Sequence, residues 1–294
     1  MTLLDIINAP GTSIAPGAYD AVSARMVERA GFDLAYMSGA GISMSAFGYP
    51  DIGLVSFDEV LGRIDAIAGS ISIPLIADGD TGYGGVLNTV RTIREFERFG
   101  AAAIQMEDQI FPKRCGHEAG RKVVPTKDMC DKVKAACDTR RSEDFLIIAR
   151  TDARTEHGIE EAIARGIAYR EAGADVIFLE SLESADEMRR ACAEIDAPMM
   201  ANMVEGGRSP LLSKTELEDV GYSLAIFPNS LLRAVCKTAE RVFGILKETG
   251  GTTSLLPEMY SHTQLWNLMS NDEWAAYERY VIDGTEEVPL PSRA

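Results

Sequence analysis

The chain has 294 residues, 46% hydrophobic and 25% charged, the balance of a globular protein with enough apolar material for a large core. That length leaves two small domains or one large single-core fold and excludes the disordered and collagen-like classes. Lys and Arg number 29 against 45 Asp and Glu, a formal charge of −16. A field of that sign repels nucleic acid and anionic lipid, so neither is expected as a main partner, and an anionic ligand would need a local positive device.

Five cysteines (Cys115, Cys130, Cys137, Cys192, Cys236) are scattered without a CxxC pair. This argues against a disulfide framework or a structural zinc site and fits a reducing cytoplasm. No apolar run approaches the ~20 residues of a membrane span. The opening MTLLDIINAP has neither a basic nor a long apolar segment, so a cytoplasmic protein is expected.

In chain order, short apolar runs predict strands over 13–16, 34–38, 74–78, 103–106, 145–150, 176–180, 199–202 and 224–227. Helical spacing predicts helices over 18–30, 57–70, 86–99, 126–140, 159–172, 185–195, 215–220 and 231–249. Gly31, Gly100, Gly173 and Gly221 each follow a helix, where glycine relieves a left-handed turn. Eight alternations with nearly all-apolar strands predict an α/β fold, a parallel (β/α)8 TIM barrel over 1–250. No GxGxxG follows the first strand, which weakens a dinucleotide-binding sheet. The remaining 251–294 carries Trp266, Trp274, Tyr277 and Tyr280, and so aromatic a tail is expected to pack on its own barrel or on a neighbouring subunit.

In such a barrel the C-terminal strand ends build the active site. Those ends read Ser38-Gly39, Asp78 with Asp80, Glu107 with Asp108, Arg150, Glu180, Asn202 and Pro228. One polar residue at a strand end is ordinary loop solvation, but recurrence at one height in the barrel points to a site. Asp51, Asp78, Asp80, Glu107 and Glu180 would repel one another without a counter-ion. With no His or Cys pair at ligand spacing, a hard oxygen-preferring cation is expected, Mg²⁺ first and Mn²⁺ second. The Gly-rich turn 81–85 could offer backbone N–H groups to an anion. The loop Phe111-Pro112-Lys113-Arg114-Cys115-Gly116-His117-Glu118 gathers cations, a thiol and an imidazole, which favours thiolate formation and proton trading near neutral pH, with Gly116 giving the freedom of a lid.

Lys113-Arg114-Cys115-Gly116-His117 resembles the K-[KR]-C-G-H signature of the isocitrate lyase and phosphoenolpyruvate mutase superfamily. The likeness extends through Ser38-Gly39, Asp51, 78–84, 107–109, 149–153 and 202–207, covering roughly residues 4–249 in order. The resemblance implies a (β/α)8 barrel whose eighth helix is exchanged between partners in dimers that pair into a homotetramer, with the tail beside the swapped helix. It implies Mg²⁺ on Asp80, directly or through waters, with Asp51, Asp78 and Glu107 around it. Ser38, Gly39 and Arg150 would bind the carboxylate of a 2-oxo acid, with Asp51, Gly116, Glu180, Asn202, Pro228, Ser230 and Arg233 completing the substrate site. Cys115 would be the catalytic acid, and Lys113, Arg114, His117 and Arg150 would stabilise developing charge.

The implied activity is cleavage of a 2-hydroxy di- or tricarboxylate to a 2-oxo acid and a second carboxylate. The length suits the short branch that includes 2-methylisocitrate lyase, 2,3-dimethylmalate lyase, the petal-death type, oxaloacetase and carboxyphosphonoenolpyruvate mutase. P–C bond chemistry and oxaloacetate hydrolysis therefore stand as alternatives, as does a catalytically silent binding barrel. One departure is Pro228-Asn229-Ser230, where the family pattern has an apolar residue between Pro and Ser.

Overall fold

A computed structural model describes residues 1–116, 118, 120–284 and 287–291. The elements run α1 Leu3–Asn8, β1 Ser13–Ala18, α2 Ala21–Arg29, β2 Ala35–Met37, α3 Gly39–Phe47, α4 Phe57–Ala68, β3 Leu75–Asp78, α5 Val86–Arg98 and β4 Ala103–Glu107. They continue with α6 Thr126–Thr139, β5 Leu146–Thr151, α7 Arg154–Glu171, β6 Val176–Leu179, α8 Ala185–Glu194, β7 Met200–Asn202, α9 Lys214–Val220, β8 Leu224–Phe227 and α10 Ser230–Thr249. Beyond lie a 3-10 helix Thr253–Glu258, α11 His262–Leu268 and α12 Asn271–Asp283.

All eight strands are parallel, in the order β6-β5-β4-β3-β2-β1-β8-β7. A single parallel bridge between Ile177 and Met199 joins β6 to β7, so the sheet closes into the expected (β/α)8 barrel. Each predicted strand is present, with ends within two residues of those expected. The four helix-ending glycines hold φ between 84° and 113°, the left-handed turn anticipated for them.

Two apolar layers hold the barrel. Inward-facing Ala15, Tyr36, Ile76, Ala103, Leu146, Ile148, Val176, Phe178, Met200, Leu224 and Ile226 fill the interior, while the opposite strand faces pack under the helices. The sequence reading omits α1, whose Leu3, Ile6 and Ile7 join the interior cluster and plug its N-terminal mouth. Thr2 and Asp5 start this short helix with a capping box, and burying its three aliphatic side chains contributes about 1.5–3 kcal/mol apiece. With the bottom plugged, the open end is the C-terminal one.

The sequence reading also omits α3, which begins at Ser38 as β2 ends; the Ser38 hydroxyl caps it by accepting from Gly41 N–H at 3.0 Å. Helix α7 starts five residues before the predicted 159 because a short helical turn precedes a break at Gly158 (φ 84°). Helix α10 is the exception among the outer helices: none of its residues is buried. Beside it Ile14, Pro16, Met26, Val27, Phe32 and Phe227 line an apolar groove. The tail touches α2 of its own chain, where Arg25 donates to Leu268 O at 2.8 Å and Arg29 lies over the Tyr260 ring. No helix among the described residues is long and apolar enough to cross a membrane.

Candidate active site

A cavity opens at the C-terminal end of the barrel. It is lined from successive strand ends by Ser38, Asp78, Glu107, Arg150, Glu180, Asn202 and Pro228, and from loops by Asp51, Lys113, Arg114, Cys115 and Gly116. Gly39 and Asp80 line an adjoining small pocket that shares Asp51 and Asp78.

The carboxylates gather around one cation. Lys113 Nζ donates to Asp51 Oδ1 and lies 2.9 Å from Asp80 Oδ1 at ion-pair distance, without a hydrogen bond. Burial alone would lower the Lys113 pKa, but Asp80 and Asp51 outweigh it and hold the ammonium well above the usual lysine range. Asp78 accepts from Gly39 N–H at 3.2 Å and Asp80 N–H at 3.2 Å. Burial, then the charge of Asp80, pushes Asp78 up to about 6. Burial likewise raises Glu107 well above the ordinary carboxylate value, with Arg150 opposing. Asp80 sits in the left-handed region at φ 44°, a strained position for a non-glycine residue, and this aims its carboxylate back toward Lys113.

Among the described residues no three His, Cys, Asp or Glu side chains close around a point able to hold a metal on their own, so the four carboxylates Asp51, Asp78, Asp80 and Glu107 do not form a direct four-ligand cage. The donor set nevertheless fits Mg²⁺, which keeps several waters and takes only one or two carboxylates directly. Asp80 Oδ1 and Glu107 Oε1 are buried without a hydrogen-bond partner, and both are hard oxygen donors.

On the opposite wall Arg150 is held from several sides. Its Nε and Nη2 donate to the two oxygens of Asp152 at 2.8 Å each, Nη1 lies 3.5 Å from Glu107 and Nη2 3.3 Å from Glu180. The guanidinium carbon stands 5.1 Å above the Phe178 ring. Glu180 also accepts from Asn202 Nδ2 at 3.0 Å, which leaves the buried Asn202 Oδ1 unpaired. Such a fixed guanidinium suits a planar carboxylate.

The loop after β4 is pinned at its base by the Gln109–Val123 bridge and by Ile110 N–H to Lys122 O at 2.8 Å. The Gln109 side chain clamps Arg114 by both of its backbone groups, at 2.9 Å each. This brings half-buried Cys115 to the cavity and lays Gly116 against Arg150 and Glu180. Of the Gly-rich turn 81–85 only Tyr83 lines the adjoining pocket, and buried Lys132 holds the turn by donating to Thr81 O at 2.8 Å.

Two expected residues are not brought to the cavity. Ser230 donates to Glu205 and faces the apolar groove, and Arg233 is exposed and paired with Glu205 at 3.2 Å, because α10 runs outward from this point. His117 lies outside the described residues. Conversely, the sequence reading missed Tyr36, which donates from the barrel interior to Gln105 Oε1 at 2.7 Å; its signal was a lone Tyr in an apolar strand. It also missed Asp152, two residues past Arg150 and fully buried.

The model of the phosphoenolpyruvate phosphomutase family matches residues 3–246. The chain is 45% identical to 2,3-dimethylmalate lyase of Eubacterium barkeri over 95% of its own length and 97% of that protein's. It is 40% identical to 2-methylisocitrate lyase of Bacillus subtilis, covering 94% and 91%. Among solved structures it resembles oxaloacetate acetylhydrolase bound to 3,3-difluorooxalacetate, with a TM-score of 0.90, 34% identity and coverage of 98% and 97%. Against 2,3-dimethylmalate lyase the TM-score is 0.89, with 35% identity and 97% of each chain covered. Phosphonopyruvate hydrolase complexed with oxalate and Mg²⁺ matches at a TM-score of 0.81 and 31% identity over 92% and 94%. The chain belongs to the phosphoenolpyruvate phosphomutase family and is a lyase of the PEP mutase/isocitrate lyase superfamily.

Proposed function

We propose that this enzyme is a Mg²⁺-dependent carbon–carbon lyase that cleaves a 2-hydroxy di- or tricarboxylate of the alkylmalate or 2-methylisocitrate type. The observation that carries the reading is Cys115 lining the same cavity as a buried arginine and a carboxylate cluster with unpaired oxygens. The names of the relatives at 45% and 40% identity support the substrate class.

Asp80 and Glu107, backed by Asp51 and Asp78, would hold the hydrated metal, which when bound supplies Lewis acidity that lowers the pKa of the substrate hydroxyl. Arg150, with Ser38 and the Gly39 backbone, holds the C1 carboxylate. The hydroxyl proton passes to a neighbouring carboxylate as the C2–C3 bond breaks and C2 becomes the carbonyl of a 2-oxo acid. The bonding pair moves into the other half as an enediolate. Cys115 Sγ–H gives its proton to C3, leaving a thiolate that Arg114 and Lys113 favour electrostatically. In the condensation direction the same thiolate is the base. Purified protein with Mg²⁺, offered 2,3-dimethylmalate and 2-methylisocitrate, should release a 2-oxo acid, and Cys115→Ala should abolish release while still binding oxalate with Mg²⁺. Unchanged cleavage by that variant removes Cys115 from its role.

A second reading is oxaloacetate hydrolysis, in which the hydrated 2-oxo group is cut at the same C2–C3 bond to give oxalate and acetate. It is favoured by Asn229, whose Oδ1 accepts from Ser38 Oγ at 3.1 Å while the residue lines the cavity, so its amide Nδ2 is available to a second C2 hydroxyl. Oxaloacetate therefore belongs in the same substrate panel.

The resemblance and the exposed α10 beside an apolar groove together support a homotetramer of helix-swapped dimers, with a partner's α10 filling the groove and the tail close by. Light scattering behind size-exclusion chromatography should give a tetramer, and a monomer at micromolar concentration would refute this arrangement.

A further inference from the structure

We propose that Arg121 is a positioning residue that seats the Cys115–Gly116 segment over the cavity and ties that seat to the orientation of Arg150. It rests on the lyase reading above. Arg121 lies at the far end of the loop from Cys115, and its side chain is fully buried without lining the cavity. Burying a guanidinium is costly unless its donors are matched; here Nε is buried without a partner among the described residues, and the two Nη groups are spent on four acceptors from separate parts of the chain. Nη1 donates to Gly116 O in the loop and, at 2.8 Å, to Asp152 Oδ1 just beyond β5. Nη2 donates to Thr155 Oγ1 at the start of α7 and, at 3.4 Å, to Ser181 Oγ beyond β6.

Asp152 is the shared element. Burial would raise its pKa, but Arg150 and Arg121 outweigh it, so the carboxylate stays ionised between two guanidinium groups. Its Oδ1 takes both Arg121 Nη1 and Arg150 Nη2, so neither arginine shifts without disturbing the acceptor of the other. A second support reaches the same loop carbonyl: Ser181 Oγ donates to Gly116 O at 2.8 Å from a residue held at φ 62°, a strained conformation for serine. Thus the carbonyl next to Cys115 is fixed by Arg121 and Ser181, and the arginine that would bind the substrate carboxylate is fixed by the same buried carboxylate. With the segment seated, the carbanion takes its proton from Cys115 Sγ–H and leaves a thiolate. With it loosened, water supplies that proton from either face and leaves hydroxide, and Cys115 is out of reach.

The test compares wild type, Arg121→Met and Arg121→Lys by hydrogen-exchange mass spectrometry of loop peptides, with and without Mg²⁺ and oxalate, alongside kcat and KM. In wild type the ligands should slow loop exchange. Arg121→Met should lose that protection at least tenfold, lower kcat by about 100-fold with KM within threefold, and recover part of kcat when guanidinium is added. Arg121→Lys, which keeps the charge but lacks the planar two-nitrogen fork that reaches Gly116 and Asp152 on one side and Thr155 and Ser181 on the other, should fall between, and it carries the test should Arg121→Met not fold. A folded variant that keeps wild-type loop protection overturns the proposal, as does one that keeps wild-type kcat. If wild type turns over no carbon acid, the lyase reading fails, while the exchange comparison still decides whether Arg121 seats the loop.

Discussion

Gly116→Ala tests how closely the loop must approach the substrate side of the site. A Cβ on residue 116 would stand 2.4 Å from Arg150 Nη2 and 2.8 Å from Glu180 Oε2, where ordinary contact begins near 3.4 Å. The loop must therefore lift by about 1 Å, or Arg150 must leave Asp152, to which it is bound by two hydrogen bonds of 2.8 Å. The loop is the softer of the two. A displacement of about 1 Å costs on the order of 100-fold in rate, or about 2.7 kcal/mol of transition-state stabilisation. Steady-state assay of the variant against its best substrate should show that loss in kcat, with the thermal midpoint within about 2 °C of wild type because the lifted segment is not core. Wild-type kcat in Gly116→Ala would refute close seating of this loop.

Asp108→Ala should destabilise the fold by about 3–5 kcal/mol, because it takes from buried Arg165 one of its two paired carboxylates and removes the acceptor for Thr151, Tyr169 and Asp152 N–H; denaturant titration reads this. Asp78, raised to about 6 by burial and by Asp80, favours the fold while protonated, and that contribution is lost as pH rises through about 6. The metal-free protein should accordingly gain more thermal stability from Mg²⁺ at pH 8 than at pH 5.5, and the opposite order in thermal melts contradicts the assignment. Asn229→Leu should raise the ratio of kcat/KM for 2,3-dimethylmalate over oxaloacetate by about tenfold, because the amide would read the second C2 hydroxyl that only hydrated oxaloacetate carries, a ratio obtained from parallel assays.

The barrel was legible because strand and helix alternate with nearly all-apolar strands, and most of the site because polar residues end those strands at one height. What escaped had no periodic signal. Helix α1 is six residues long and too short to show a period, although Leu3, Ile6 and Ile7 close the barrel floor. Asp152 entered only as part of the 149–153 motif and Arg121 carried no signal at all; only the fold shows that both are buried and joined, since the residues they link are far apart in sequence. Ser230 and Arg233 were implied at the substrate site by the family resemblance, but α10 turns away and takes them with it. Lys113 was read as a lid cation, and the structure places it deeper, as counter-charge to Asp51 and Asp80.

The acidic balance of −16 and an acidic substrate are compatible because the positive groups are concentrated where the substrate would bind, at Lys113, Arg114 and Arg150, with a divalent ion to add. The central claim is cleavage of a C2–C3 bond next to a hydroxyl. The most direct measurement offers the purified protein with Mg²⁺ a panel of 2,3-dimethylmalate, 2-methylisocitrate, isocitrate, oxaloacetate and phosphonopyruvate and follows release of the 2-oxo acid or oxalate. Turnover of a hydroxy acid, lost on chelation of the metal and in Cys115→Ala, is the predicted result; turnover of phosphonopyruvate alone, or of none of the panel, would contradict it.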